Sequence, residues 1–336
     1  MASVTAYPVR SPQWVMTYRT VDITADVSTM VTSIIYTDRL GGAAGEIEVQ
    51  LEDHDKRWQG PWYPQQGDKL NLIIGYRGEP LLPCGDFQVD DLELSGPPDT
   101  FHIRGLAAWI TPAMRTRNST AYENQTLIQI ASTIAAKYGL SLVGVVDALN
   151  VSYARVTQKH ETDLEFVRRL ALAHGYEFTV RGEQLVFYSH DPLEASPPVA
   201  TITRSDLLSF AFRSKSHRVY RAAQVSYQNP ATKELVTQQA DAPVSLPQGD
   251  TLKLIARCEN GQQALLKARG ALHATNMAQM TAILETPGMN TVCAGNNLTI
   301  SGFGANDGIY IVTVARHRLT RAGGYRTEAE VRRVGQ

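Results

Sequence analysis

The segment from residue 158 to 178 reads QKHETDLEFVRRLALAHGYEF and concentrates side chains that bind metal ions or move protons. His160, Glu161 and Asp163 lie side by side, and His174 follows eleven residues after Asp163. A helical zinc site of the HExxH type needs a second histidine one turn after the first, and this sequence has none there. On a helix His174 would lie roughly 16 Å from Asp163 along the axis, beyond the reach of one ion.

The same residues fit the start of a helix. The Thr162 hydroxyl is placed to cap the first turn, and Glu165, three residues on, is placed to reach back to the Thr162 amide. Acidic residues are favoured at this end because they face unpaired amides and the positive end of the helix dipole. We therefore interpret the cluster as scaffolding, and the sequence predicts no catalytic, cofactor-binding or metal site.

Other patterns that could carry chemistry are weak. There is no GxSxG, GxxxxGK[ST] or GxGxxG pattern, and GGAAGE at 41–46 reads as a polar turn. The carboxylate pairs Asp53 with Asp55 and Asp90 with Asp91 are predicted to be solvated turn and strand residues rather than glycosidase acids. The basic run RSKSHRVYR at 213–221 is predicted to be a solvated β edge protected from pairing by charge.

Composition excludes some classes of function. Of 336 residues, 32 are Lys or Arg and 33 are Asp or Glu, so no net field favours nucleic acid or an anionic membrane. The N-terminus has no signal-peptide pattern and no run of about 18 apolar residues follows, so we expect neither secretion by a signal peptide nor a membrane span. The widely spaced, odd-numbered cysteines fit a reducing compartment, and sequons carry no meaning there. The cysteines are Cys84, Cys258 and Cys293, and the sequon asparagines are Asn118, Asn124, Asn150 and Asn297.

Alternating patterns predict strand after strand from Trp14 to about Ile110. In EIEVQLED, Ile47, Val49 and Leu51 alternate with polar residues, which places the apolar set on one face. MVTSIIYTD, KLNLIIGY, FQVDDLEL and FHIRGLAAWI are further β-rich runs separated by Gly, Pro and Asp clusters. This predicts an antiparallel sandwich or barrel.

Helical spacing appears after Pro112. Leu127, Ile130, Ile134 and Tyr138 predict one amphipathic helix that ends at Gly139, and a second begins after Thr162 and ends at Gly175. A hairpin turning at Arg181 and Gly182 is predicted to follow, completing a small α/β unit.

Strand-type sequence patterns return from about Thr201, with one helix predicted at GQQALLKARGALHATN. The last part repeats an earlier plan: Gly67-Asp68 matches Gly295-Asn296, KLNLIIGY matches NLTISGF, GDFQVDDLEL matches GIYIVTVARH, and FHIRG matches RTEAEVRR. We therefore expect a mainly β (α+β) fold with two antiparallel β-barrels. The predicted divisions are 1–112 for the first barrel, 113–195 for an inserted α/β domain and 196–336 for the second barrel.

The 158–178 segment resembles the motif Q-x-x-E-[ST]-D-x-x-F-x-x-R-L-A-x-x-x-G-Y-x-F of phage tail hub proteins. These form the late control protein D family, which is related to the hub part of type VI secretion VgrG spikes. Sequences near both ends of the chain, YTDRLGGAAGEIEVQLEDHDKRWQG and the segment from Gly302 to Arg333, resemble the family's first barrel and its ending. The residues that match the motif are Gln158, Glu161, Thr162, Asp163, Phe166, Arg169, Leu170, Ala171, Gly175, Tyr176 and Phe178.

The resemblance implies a structural hub without enzymatic activity or cofactors, located at the baseplate centre of a particle assembled in the bacterial cytoplasm. It implies a homotrimer whose six tube-like barrels join a hexameric tail tube to a trimeric spike, with other baseplate proteins and the tape measure as further partners. The chain lacks the spike continuation of VgrG, so a separate spike protein is expected, as in a contractile phage or an R-type pyocin. The alternatives are a tail-associated cell-wall hydrolase and the hub of a type VI spike.

Overall fold

The structure is a computed structural model that describes residues 10–41, 44–107, 112–144, 150–215, 217, 219–229, 232–242, 250–277 and 279–335. No helix in these ranges combines the length and the apolar character needed to cross a membrane. The end of the predicted FHIRGLAAWI strand, two residues of GGAAGE and two residues of RSKSHRVYR lie outside the described ranges.

The first barrel surrounds its own hydrophobic core, with strands in the order β3-β4-β7-β6-β5-β1-β2, all antiparallel. The predicted alternation of apolar and polar side chains is present in β4, where Ile47, Val49 and Leu51 are buried while their neighbours along the strand are partly exposed. Its elements are β1 Pro12–Tyr18, β2 Val21–Asp22, α1 Thr24–Val27, β3 Val31–Arg39, β4 Glu46–Glu52, β5 Lys69–Tyr76, β6 Leu82–Ser95 and β7 Thr100–Leu106, with a 3₁₀ turn at Arg57–Gln59.

An α/β segment with a separate core follows. Both predicted helices begin with a capping box, Thr126 with Gln129 and Thr162 with Glu165. After a 3₁₀ turn at Pro112–Arg115, the elements are β8 Arg117–Asn118, β9 Ala121–Thr126, α2 Leu127–Lys137, β10 Ser141–Val143, β11 Ser152–Thr157, β12 Glu161–Thr162, α3 Asp163–Ala173, β13 Tyr176–Arg181, β14 Gln184–Ser189 and α4 His190–Glu194.

The β13–β14 hairpin turns one residue later than predicted. The last paired residues are Arg181 and Gln184, so the turn consists of Gly182 and Glu183 rather than Arg181 and Gly182. Gly182 has φ +55°, a left-handed conformation that glycine adopts without a Cβ clash. The glycine therefore determines the position of the turn.

The remaining elements divide between a second barrel and a second small α/β segment with its own core. Strands β17 to β19 form a three-stranded sheet of their own, and α5 packs on it through Ala264, Ala268 and Leu272. The elements are β15 Ala200–Ile202, β16 Ser209–Ser214, β17 Tyr220–Gln228, β18 Leu235–Asp241, β19 Asp250–Ile255, α5 Gly261–Asn276, β20 Met280–Pro287, β21 Asn297–Ile300, β22 Gly308–Thr320 and β23 Gly324–Arg333, with 3₁₀ turns at Arg204–Asp206 and Gly304–Asn306.

The structure thus adds a feature within the predicted second barrel, because strands β17 to β19 and helix α5, which come between β16 and β20 in the chain, lie outside the barrel sheet. The periodicity of β17 to β19 is the same in a barrel and in a small separate sheet, which is why the sequence alone assigned them to the barrel. The domain limits at 112/113 and 195/196 stay predictions.

The strand pairing of the two barrels matches. Gly67 donates its N–H to the Val89 carbonyl at 2.7 Å, and Gly295 does the same to the Val312 carbonyl at 2.9 Å. Both glycines have φ near +90°. The ladder β6–β7 is interrupted by a bulge just after Val89, and β22–β23 by one just after Val312. Because the turn glycine and the bulge fall at matching positions, the strands of the two barrels can be aligned residue by residue.

The two barrels are joined side by side by one antiparallel pairing, β22 with β3. It runs from Val314 opposite Arg39 to Thr320 opposite Ser33. His317, fully buried, stacks on Tyr36 at 5.8 Å between ring centroids on the core side of this junction. The sheet is therefore continuous from β16 through both barrels to β2.

A close glycine contact fixes α5 against the first α/β segment. A Cβ at residue 270 would lie 2.6 Å from the backbone nitrogen of Gly175, which has φ +77° at the end of α3. Gly270→Ala is expected to lower the free energy of unfolding by about 1–3 kcal/mol, because backbone must move, although alanine favours helix.

The measurement is thermal and urea unfolding of the purified variant. Gly261→Ala in the same helix is the matched control, because the neighbour there is the flexible Gln238 side chain. If both variants unfold like the parent protein, the glycine contact does not constrain the docking of α5.

Candidate functional site

The opening motif forms one buried polar network around Asp163, whose side chain is 2% exposed. Its Oδ1 accepts from Gln158 Nε2 at 2.7 Å and from Asn118 Nδ2 at 3.0 Å. Its Oδ2 accepts from Lys137 Nζ at 2.6 Å and from Tyr138 OH at 2.7 Å. Burial alone would raise the pKa of Asp163, but these four donors lower it to about 2. The carboxylate is held ionised as the centre of a structural network.

The other polar residues of the motif also bind within the segment. Arg169 makes two bonds to Glu161, with Nη2 at 2.6 Å and Nε at 3.1 Å from the carboxylate oxygens, and this lowers the pKa of Glu161. Thr162 and Glu165 complete the predicted capping box. Phe166 is fully buried beneath them. The residues that define the motif therefore hold α3 in place.

The two histidines do not join this network. His160 has φ +51° and its backbone N–H donates to Ser119 Oγ at 3.2 Å. His174 is buried at the end of α3, with its ring 5.9 Å from that of Tyr153. Burial, with a smaller effect of Lys267, lowers the pKa of His174 to about 3. Among the described residues, the motif's acids and histidines do not form a group with metal-ligand spacing.

Of the other carboxylates named from the sequence, two lie in the loop after β4 and two on the surface of β6. Asp53 is buried and accepts from the backbone N–H of Trp58 and from Gln59 Nε2, both at 3.1 Å, so it organises the loop after β4. Asp55 is exposed and pairs with Arg57 at 3.2 Å. Asp90 and Asp91 are exposed on β6.

Among the sequons and cysteines, two asparagines have structural contacts. Asn297 is buried and its Nδ2 donates to the carbonyls of Leu193, in α4, and Ser196, just after α4. Asn118 belongs to the Asp163 network, while Asn124 and Asn150 are exposed. None of the three cysteines forms a disulfide among the described residues; Cys84 and Cys258 are buried and Cys293 is partly buried, and burial raises the pKa of Cys84.

A second polar cluster was missed by the sequence interpretation. Glu194 Oε1 lies 2.7 Å from Arg332 Nη1 and 2.9 Å from His273 Nε2, and the rings of His273 and His190 stack at 4.4 Å. Burial opposes ionisation, yet the His273 and Arg332 contacts lower the pKa of Glu194 to about 2. Burial, His273 and Arg332 lower the pKa of His190 to about 3.

His190, Glu194 and His273 have metal-ligand spacing, with ligand atoms within 4.8 Å of one another. The Arg332 guanidinium already contacts Glu194 and lies 3.4 Å from His190 Nδ1. A cation at that position repels a second one, so the cluster is better explained as an ion-pair network. It connects α4, α5 and β23. His190 and Glu194 are four residues apart on α4, but His273 and Arg332 come from distant segments, so the sequence does not show that the four meet.

A cleft of about 500 Å³ opens in the first barrel. It is lined mainly by apolar and aromatic side chains such as Trp58, Trp62 and Leu51. At its rim Asp68 accepts a hydrogen bond from Tyr18 and pairs with Arg19 at 3.0 Å. These groups satisfy one another, so the cleft resembles a loosely filled barrel end rather than a catalytic site.

The comparisons with known proteins decide the family. Residues 97–323 match the model of the phage tail baseplate hub family (GPD). This chain belongs to that family. The probable baseplate hub protein of Escherichia phage 186 is 31% identical over 201 residues, covering 58% of this chain and 51% of the phage protein. The chain spans about half the length of the curated relatives it matches.

Solved structures share the fold. A tail protein from Neisseria meningitidis MC58 superposes with a TM-score of 0.70 at 12% identity, covering 96% of each chain. An Escherichia coli protein described as a type VI secretion system component superposes with a TM-score of 0.60 at 12% identity, covering 90% of this chain and 73% of the other.

The resemblance to baseplate hubs and the mainly β fold with two barrels, both predicted from the sequence, are confirmed. The predicted location in a phage tail or related particle is confirmed as well.

Asp163→Asn is expected to lower the free energy of unfolding of this baseplate hub by about 2–3 kcal/mol, because it removes the anion that four donors share. The exposed pair of Glu123 with Arg155 is the control, and Glu123→Gln is expected to change the stability by less than about 0.5 kcal/mol.

The difference between Asp163→Asn and the parent protein also depends on pH. The folded pKa of Asp163 lies below the value of about 4 in an unfolded chain, so the stabilisation is complete above pH 4 and disappears as the pH falls toward 2. Urea titrations from pH 7 to pH 2.5 measure it. A difference that stayed constant over this range would contradict the ionised network.

Glu194→Gln is expected to cost about 3 kcal/mol, because it leaves the buried Arg332 guanidinium without its counter-charge. Glu285→Gln, which breaks the more exposed pair of Glu285 with Arg326 in the same barrel, is expected to cost less than about 1 kcal/mol. Calorimetry of both variants makes the comparison. Equal melting temperatures would show that the cluster does not stabilise the hub.

Proposed function

We propose that three copies of this chain form a ring of six barrels that adapts a hexameric tail tube to a trimeric central spike. The observation that carries the proposal is the side-by-side junction of two barrels with one register, through β22 and β3. Since each chain has two similar barrels, a ring of three chains contains six similar barrels. A ring of this kind can match a sixfold partner on one face and a threefold partner on the other.

The proposed partners are the tail tube protein, the spike, other baseplate proteins and the tape measure. The setting is a contractile phage tail or a phage-tail-like bacteriocin such as a pyocin. Near-balanced charge fits this role, since binding to tube and spike requires local complementarity rather than a net field.

The role requires packing and hydrogen-bonded edges rather than a reacting group, so we propose that the hub has no catalytic activity. The carboxylates at the centres of the two polar networks, Asp163 and Glu194, are both engaged by cations and hydrogen-bond donors. A peptidoglycan-hydrolysis assay on the purified chain tests this. Peptidoglycan hydrolysis that persists when the chain has been purified would favour the cell-wall hydrolase instead.

The first test of the ring is mass in solution. Light scattering is expected to give about 111 kDa, three times the chain mass of 37.0 kDa, for the chain alone or mixed with the spike protein of the same particle. The matched negative control is the chain mixed with an unrelated trimeric protein. A 37.0 kDa species in both the free and spike-mixed samples would contradict the trimeric adaptor.

A further inference from the structure

The junction between the barrels uses only half of β22. Residues 308–311 of β22 pair with β21, and residues 314–320 pair on that side with β3 of the other barrel. In the first barrel the equivalent strand is β6. Residues 82–88 of β6 pair with β5, but beyond them the same side of β6 has no strand partner within the described residues. Asp91 to Ser95 therefore present an open backbone edge.

The equivalent of β3 also has an open edge. In the first barrel β3 pairs with β4 and β4 with β7, while in the second β16 pairs with β20 and β20 with β23. Where β3 pairs on its other side with β22, β16 ends the described sheet. The chain thus carries both halves of a second junction, one at each end of its double barrel.

The shared register shows which residues would meet. The bulges align Asp91 with Val314, and the strand pairings align Ile35 with Ala211. Applying the pairing of β22 with β3 to the open edges then gives five opposed pairs. These are Asp91 with Lys215, Leu92 with Ser214, Glu93 with Arg213, Leu94 with Phe212, and Ser95 with Ala211.

The side chains at these positions are complementary. On one face both charged pairs combine an acid on β6 with a base on or just after β16, and opposite charges across a ladder stabilise it. None of the four takes part in an ion pair among the described residues. On the other face Leu94 is 48% exposed, and it would meet Phe212 where the internal junction places His317 against Tyr36.

We propose that the β6 edge at Asp91–Ser95 pairs with the β16 edge of a second copy of this chain in this register. The contact is head-to-tail, because different edges meet, and such a contact closes into a ring when the rotation per subunit allows it. Closure at three copies rests on the proposed function. The charges at the edge, which suggest protection from pairing when one chain is viewed alone, then select the correct partner edge.

Charge reversal tests the pairing. Glu93→Arg and Arg213→Glu each place like charges opposite each other, and each is expected to raise the concentration at which the trimer dissociates by about tenfold or more. The double variant restores opposite charges in every contact and is expected to recover the parent mass. Glu123→Arg, an exposed charge reversal away from both edges, is the control and is expected to leave the mass unchanged.

Cysteine cross-linking gives an independent readout. In a Ser95→Cys/Ala211→Cys variant, a short bis-maleimide is expected to join copies into covalent dimers and trimers, whereas each single cysteine variant gives none of these. The parent chain, with its own three cysteines, sets the background. Circular dichroism and melting temperature confirm folding, since all substituted side chains are exposed at the strand edges.

The outcomes separate this inference from the proposed function. A parent trimer that persists in both charge-reversal variants and fails to cross-link would overturn the strand pairing and leave the ring intact. A parent chain that stays monomeric with and without spike would overturn the ring itself. Cross-linking of Ser95→Cys to a different baseplate protein, and not to residue 211 of a second copy, would overturn the assignment of the occupant.

Discussion

A β-strand has two hydrogen-bonding edges, and the architecture of this hub follows from how those edges are used. The long strand β22 satisfies one edge with β23 and divides the other between β21 and β3. The division occurs at the bulge after Val312, which re-aims the second half of the strand toward the neighbouring barrel. One strand thereby belongs to the cores of both barrels, with His317 stacked on Tyr36 where they meet.

The α/β segments are held together differently, by buried carboxylates that bind side chains from several elements. Asp163 and Glu194 each collect donors from separate elements, and each would be costly to bury alone. Because the donors are supplied by β8, α5, β23 and the end of α2, these carboxylates fix how elements from distant parts of the chain sit against one another. The contact of Gly270 with Gly175 then sets how closely α5 approaches α3.

Sequence patterns predicted what is local. The alternation of Ile47, Val49 and Leu51, the capping box at Thr162 and the helix at 261–276 all depend on residues within a few positions of one another, and all are present. The match of Gly67 with Gly295 was visible because a left-handed turn requires glycine at both places.

What the sequence did not predict depends on contacts between distant segments. The Glu194 cluster combines two helices and a strand, and its members lie up to 142 residues apart in the chain. Strands β17 to β19 could be placed in a barrel or outside it with the same period of two. The hairpin turn lies one residue later than predicted for a local reason, because Gly182 takes the left-handed position between the paired Arg181 and Gln184. The donors Lys137 and Tyr138 lie at and just after the end of α2, which has no motif that indicates a contact with Asp163.

The junction of β22 with β3 has a consequence for the order of assembly. Because both barrels are in one polypeptide, the second meets the first at an effective concentration that is set by the intervening chain and does not depend on the number of copies present. The pairing of β22 with β3 therefore forms during folding at any protein concentration, whereas pairing between copies through the β6 and β16 edges depends on how many copies the cell produces. Gene-expression level can then control particle formation without affecting whether each double barrel is complete.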